Sequence, residues 1–226
     1  MKLPPSLLAT ALGAITVFSF APFEFFFLPA ITLALLFRLW QKTTSRRAAW
    51  LGFCWGLGFF LAGVSWVYVS LHDVGGMAAP VALAATVLFC AYLALFPALA
   101  GYLACRVLAT EASADFVKNA LLVAGLWTLT EWLRGWLFTG FPWLALGYSQ
   151  TPPSPLAGYA AVLGSYGIVF LVALIAALLG LNWRRKSGWV VIVVLVAGGM
   201  LLRGMDWTQP AGKPVAVSLL QGNIPQ

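Results

Sequence analysis

Residues 159–181, YAAVLGSYGIVFLVALIAALLGL, carry no charged side chain. The run has the length a helix needs to cross hydrocarbon, about 20 residues. Inside a bilayer no water is available to the backbone, so such a segment closes its own hydrogen bonds as a helix or joins a closed barrel. The alternating ten-residue pattern of a barrel strand is missing, and the helix remains. Outward from this stretch, comparable apolar runs fall at approximately 3–20, 24–40, 48–70, 78–105, 116–134 and 189–203, making about seven candidate spans. The run at 78–105 contains Pro80 and Pro97 and exceeds one membrane thickness, so it is expected to tilt, kink or extend beyond the bilayer. The whole chain of 226 residues agrees: 62% is hydrophobic and 8% charged, and its mean hydropathy is +0.94. A soluble domain carries roughly a quarter charged residues. The predicted fold class is an all-α polytopic membrane protein.

The formal net charge of +7 invites a nucleic-acid reading, which the positions of the charges exclude. Lys2, Arg38, Lys42, Arg46, Arg47, Arg106, Lys118, Arg184, Arg185 and Lys186 fall at the N-terminus or in alternate connections. They are ten of the thirteen basic residues and share one side, leaving Arg134, Arg203 and Lys213 on the other. A basic bias of this kind marks the cytoplasmic face and puts the N-terminus there. Nucleic-acid binders gather such charges in one stripe. Lys2 precedes an apolar run, but no small-x-small cleavage site follows it near Phe20, so the first span is expected to be an uncleaved helix.

The segment Thr130–Gln150, TEWLRGWLFTGFPWLALGYSQ, is the most informative on the opposite side. Glu131 and Arg134 stand three apart, on one face of a helix and at a depth where lone charges are expensive. Two readings stay open: an ion pair that pins the helix end, or a headgroup or substrate contact at the mouth of a cavity. Gly135, Gly140 and Pro142 break the helix, and Trp132, Trp136, Phe141, Trp143 and Tyr148 are aromatics of the interfacial kind. A short re-entrant or surface segment is expected, serving as an anchor or shaping an entrance for lipid. The run Trp66–Met77, WVYVSLHDVGGM, lies on the same side, and its adjacent His72 and Asp73 have no nucleophile at suitable spacing. Gly52, Gly56, Ala62 and Gly63 offer small faces for close helix packing.

No serine elbow, phosphate loop, metal-ligand cluster or poised carboxylate pair is present, and neither a metal nor another cofactor is implied. Cys54, Cys90 and Cys105 sit within or at the edge of apolar runs, at no metal or redox spacing, and read as small buried hydrophobes. Composition changes after the last span. Residues 206–214 read as a polar linker, and 215–226, VAVSLLQGNIPQ, read as the first strand of a further domain. A lone strand leaves its backbone groups unpaired, so the expectation is a chain that continues past Gln226. The predicted organisation is a bundle over 1–205, a linker over 206–214 and the start of a second domain over 215–226.

The segments GFCWGLGFFLAGVSWVYVS (52–70), TEWLRGWLFTGFPW (130–143), GYSQ (147–150) and QGNIPQ (221–226) together resemble the bacterial apolipoprotein N-acyltransferases. The segments occur in that family's order and at compatible separations. The resemblance implies an inner-membrane enzyme with its C-terminal end on the periplasmic side. Such an enzyme moves an acyl chain from a phospholipid, typically phosphatidylethanolamine, to the N-terminal amino group of a diacylglyceryl-cysteine lipoprotein. It implies covalent catalysis by a Glu, Lys and Cys triad on a nitrilase-like domain, through an acyl-thioester. The matching positions here contain no part of that triad, so residues 1–226 alone are expected to be inactive. The residues expected to face lipid or substrate are Trp66, Tyr68, Glu131, Arg134, Trp136, Trp143 and Tyr148. Two alternatives come from other classes, a membrane anchor for a separate enzyme and a small-solute transporter. Transporters carry ionisable groups near the midplane and often repeated halves, neither of which is seen here.

Overall fold

A computed structural model describes residues 3–41, 43–111, 115–151, 153–213 and 215–222. Lys2, Lys42 and Pro214, which enter the charge and linker assignments, lie outside the described residues, as do residues 223–226. Among the described residues the regular structure is helical throughout, with no strand. The helices are α1 (Pro5–Thr16), α2 (Leu28–Trp40), α3 (Ser45–Gly63), α4 (Trp66–Val69), α5 (Ala79–Glu111), α6 (Phe116–Arg134), α7 (Ala160–Asn182) and α8 (Lys186–Arg203).

Local chemistry starts several of them. Pro5 opens α1 and Pro29 lies in the first turn of α2, where a missing N–H costs nothing. The Thr44 side chain accepts from Arg47 N at the start of α3, and Asp115 accepts from Val117 N and Lys118 N at the start of α6. Ser154 caps the short 3-10 turn Pro155–Tyr159 that leads into α7.

Among the described residues three helical stretches are long and apolar enough to cross a membrane: Ala79–Ala109, Pro155–Asn182 and Lys186–Arg203. A fourth is reached if the bent pair Ser45–Gly63 and Trp66–Val74 counts as one span. The other helices stand near the expected runs but are shorter or more charged. α1 and α2, with 12 and 13 residues, reach only about 20 Å at 1.5 Å per residue. α6 carries Lys118, Glu131 and Arg134. The run at 48–70 is not one straight helix: Val64 leaves helical geometry (φ −121°, ψ 7°) and the chain bends by 51°. α7 also breaks, at Gly164 (φ 65°, ψ −175°). α5 contains Pro97 and, at 33 residues, is longer than a bilayer is thick.

α3 lies at the centre, against α1 on one side and α5 on the other, while α6 and α7 close the bundle with α2. Its glycines make this possible. A Cβ at Gly58 would strike the backbone of Thr10 in α1, and one at Gly52 the backbone of Pro97 in α5. Small residues thus set the backbone-to-backbone approach, as helices in lipid require. The core beside them is aromatic: Trp55 meets Trp127 at 5.3 Å between ring centroids, and Phe37 meets Trp127 at 5.8 Å.

The two ends of the bundle differ. Gln41 donates to the carbonyls of Gly180 and Leu181, and Cys105 to those of Trp40 and Thr43. These bonds gather at one end the helix ends and turns that carry Arg38, Arg46, Arg47, Arg106, Arg184 and Arg185. The opposite end holds the aromatic segment after α6. Residues 215–222 have no regular structure, and Val215, Val217, Leu219 and Leu220 are all exposed. The strand expected from 215 onward is therefore not formed in these described residues, since a strand needs a neighbour to take its backbone bonds.

Candidate functional site

α6 ends at Arg134, and the chain then folds back on its own helix end instead of leaving it. Gly140 makes the return with φ 78°, and Phe141 N donates to Arg134 O at 2.9 Å. A side chain at Gly140 would strike the carbonyl of Gly135, so this turn needs glycine for both its angle and its closeness. Three other residues of the segment adopt positive φ without being glycine: Phe138 (53°), Thr139 (72°) and Leu144 (57°). Such conformations cost of order 1–3 kcal/mol each and persist only where the surroundings impose them.

The surroundings here are Glu131 and Arg134. Arg134 Nη1 donates to the carbonyls of Phe141 and Trp143, the latter at 2.8 Å. Glu131 Oε1 accepts from Leu146 N at 2.6 Å, and Oε2 accepts from Trp127 Nε1 at 3.2 Å. The two charges lie 4.0 Å apart, and the guanidinium sits 5.3 Å from the centre of the Phe60 ring. Their exposures are 7% for Glu131 and 3% for Arg134. Both side chains thus sit beneath the segment 137–149, and Arg134 Nη1 and Glu131 Oε1 bond to its backbone. A small cavity of about 20 Å³ adjoins them, walled also by Trp55, Phe60 and Thr130.

Above the pair the segment forms one wall of a much larger groove of about 750 Å³. Its walls are Val17, Phe20 and Ala21 after α1, Ala62, Gly63, Ser65 and Trp66 around the bend between α3 and α4, and Pro142, Trp143, Leu144 and Tyr148. The rings of Trp66 and Trp143 meet at 5.5 Å. The lining is largely apolar, with Ser65 and Tyr148 supplying hydroxyl groups, and its size falls in the range of ligand pockets.

Of the residues singled out from sequence, Trp66, Trp143 and Tyr148 come together on the groove, with Glu131 and Arg134 buried below them. Tyr68 lies apart, its ring tilted against that of His72 at 5.4 Å, and faces a separate crevice with Ala79, Pro80 and Leu83. Trp136 packs edge-on against Trp132 at 4.8 Å and does not line the groove. His72 Nδ1 donates to Met77 O at 2.7 Å and closes its own turn.

Sequence reasoning missed Val17, Phe20 and Leu144. It also missed the network that seats the segment's far end. There Gln150 Nε2 donates to Phe26 O at 2.7 Å, and Ser154 Oγ donates to Gln150 Oε1 at 2.7 Å. The signal for the network was present as polar residues next to prolines, TPPSP (151–155), at the end of an apolar segment. Nothing in the sequence marks Leu144.

Comparison with known proteins gives this site its setting. The profile of the apolipoprotein N-acyltransferase N-terminal domain matches residues 12–178. The chain is 50% identical over 222 residues to the apolipoprotein N-acyltransferase of Nitrosomonas europaea, covering 96% of this chain and 44% of that protein. It is 47% identical over 200 residues to that of Chromobacterium violaceum, covering 86% of this chain and 38% of that protein. It is 44% identical over 225 residues to that of Methylococcus capsulatus, covering 97% and 44%. The chain spans less than half the length of these relatives. By a domain match over most of its length and by these identities, the chain belongs to the apolipoprotein N-acyltransferase family.

Proposed function

We propose that this chain is the membrane portion of an acyltransferase that moves an acyl chain from a phospholipid, with phosphatidylethanolamine as donor, to the N-terminal amino group of a diacylglyceryl-cysteine lipoprotein. The N-terminus faces the cytoplasm of a bacterium, the bundle crosses the inner membrane about seven times, and the C-terminal end faces the periplasm. Residues 1–205 are the bundle, 206–214 a linker and 215–226 the start of a catalytic domain. The groove beside Trp66, Trp143 and Tyr148 holds an acyl chain at the periplasmic end. The observation that carries this reading is the groove itself, in a chain whose relatives are named for acyl transfer: an apolar hollow of about 750 Å³ at the end opposite the basic loops.

The nucleophile lies outside residues 1–226 in this proposal. Cys54 and Cys90 are buried, the Cys105 thiol donates to two carbonyls, and His72 is engaged with Met77 O. Among the described residues none has a base recorded beside it, as covalent catalysis by a thiol requires.

The test replaces the matched part of the Nitrosomonas europaea relative with this chain and measures transfer from labelled phosphatidylethanolamine to a diacylated lipopeptide. The chimera is expected to transfer, and residues 1–226 alone are not. A folded chimera that binds neither lipid nor lipopeptide would sink the proposal.

A further inference from the structure

A costly arrangement sits directly under the groove, and its geometry gives it a task. Two charges are buried in an apolar bundle, where neutral side chains would be cheaper to desolvate. What the charges obtain is reach. Nη1 of Arg134, at the far end of a long side chain, donates to the carbonyls of both Phe141 and Trp143, two residues apart. The carboxylate of Glu131 takes the N–H of Leu146 on the far side. Between these fixed points lies Leu144, held at φ 57°. Its side chain rests over Gly63, where an added Cβ would strike it, and Val17 adjoins the same spot. Leu144 therefore closes the seam between the end of α1 and the bend after α3, and Trp143 beside it meets Trp66 at 5.5 Å.

We propose that Glu131 and Arg134 are positioning residues for acyl-chain capture: they hold residues 141–146 in a conformation the chain would otherwise leave, so that Trp143, Leu144 and Tyr148 stand as one wall of the groove. The proposal rests on the reading of that groove as an acyl-chain site. Without the clamp, Leu144 leaves its left-handed conformation and lifts from Gly63, and the wall is formed for only part of the time. Capture falls by the fraction of time the wall is absent, because affinity scales with the population of the competent conformation.

The experiment uses the intact protein in nanodiscs doped with a phosphatidylethanolamine that carries a photoreactive diazirine on its acyl chain. Crosslinks are mapped by mass spectrometry on two groove peptides, around Ala62–Trp66 and Pro142–Tyr148, and on the outward face of α8 as internal reference. The wild type is expected to label the groove above that reference. Arg134→Gln is expected to lose about tenfold of the groove labelling, with α8 labelling unchanged. Arg134→Lys keeps the charge beside Glu131, but its ammonium ends one bond short of the Nη1 position that serves both carbonyls, so it is expected to fold and still lose labelling severalfold. If Arg134→Gln does not fold, Arg134→Lys decides. Groove labelling in folded Arg134→Lys equal to that of the wild type overturns the positioning role while leaving the acyl site standing. A wild-type groove that takes no label above α8 overturns the acyl site itself, and the positioning role with it.

Discussion

The backbone N–H of Leu146 donates to Glu131 Oε1 at 2.6 Å, joining a helix end to a loop residue fifteen positions on. That single carboxylate also accepts from Trp127 and lies 4.0 Å from Arg134. Glu131→Ala removes both acceptors and leaves a buried guanidinium without its counter-charge. The expected loss of stability is about 3–5 kcal/mol, the usual consequence of breaking one partner out of a buried pair. Glu131→Gln keeps one carbonyl oxygen for Leu146 and should lose less. Thermal unfolding in detergent checks the ranking, and an Ala variant as stable as the Gln variant would show that the Leu146 bond is not what holds the loop.

Close helix approach gives a second expectation. A Cβ at Gly13 would strike the backbone of Trp55, and one at Gly58 the backbone of Thr10, so neither neighbour can yield by turning a side chain. Gly13→Ala and Gly58→Ala should each destabilise by about 1–3 kcal/mol through overpacking. Gly125 in α6 has nothing within 4 Å of such an atom. Gly125→Ala should be neutral or stabilising by about 0.5–1 kcal/mol, because alanine is the better helix former. The three variants compared in one denaturation series separate tight packing from glycine content in general.

Long apolar stretches mark where chain can face lipid, and for this reason α5, α7 and α8 were legible in the sequence. The same property hides direction. A segment that is apolar all round has no polar face to betray a bend, so the 51° turn after Gly63 and the break at Gly164 left no trace in hydrophobicity. The pair Glu131 and Arg134 was legible as a spacing of three on a helix. Its partners were not, since they are carbonyls and an N–H that every residue carries. Leu144 escaped for a related reason: a leucine held in the left-handed region by its neighbours looks like any other leucine. The strand expected after Val215 is a different case: strand formation is a property of pairs, and the described residues hold no partner for it.

The break in α7 can be tested alone. Gly164 adopts φ 65° and ψ −175°, a region open to glycine and closed to other residues, although nothing stands within 4 Å of a Cβ there. Gly164→Ala should cost about 1–3 kcal/mol from backbone strain with no steric contact to blame. Unfolding in detergent reads the loss. Equal stability of the Ala variant and the wild type would mean that residues 160–163 can straighten onto the rest of α7.

Thiol reactivity tests both the packing and the proposed absence of a nucleophile. Cys90 is 0% exposed and Cys54 7%, while Cys105, at intermediate exposure, donates to the carbonyls of Trp40 and Thr43. Reaction with a maleimide needs the thiolate and access to it, and neither buried position offers access. In the folded protein Cys105 should therefore react first and slowly, Cys54 and Cys90 only after denaturation. An acyl carrier would behave in the opposite way, as an accessible thiol that reacts fast and takes label from a radiolabelled phospholipid. Retention of acyl label on any of these three cysteines after the purified chain is incubated with that lipid would place a nucleophile within residues 1–226 and overturn its assignment elsewhere.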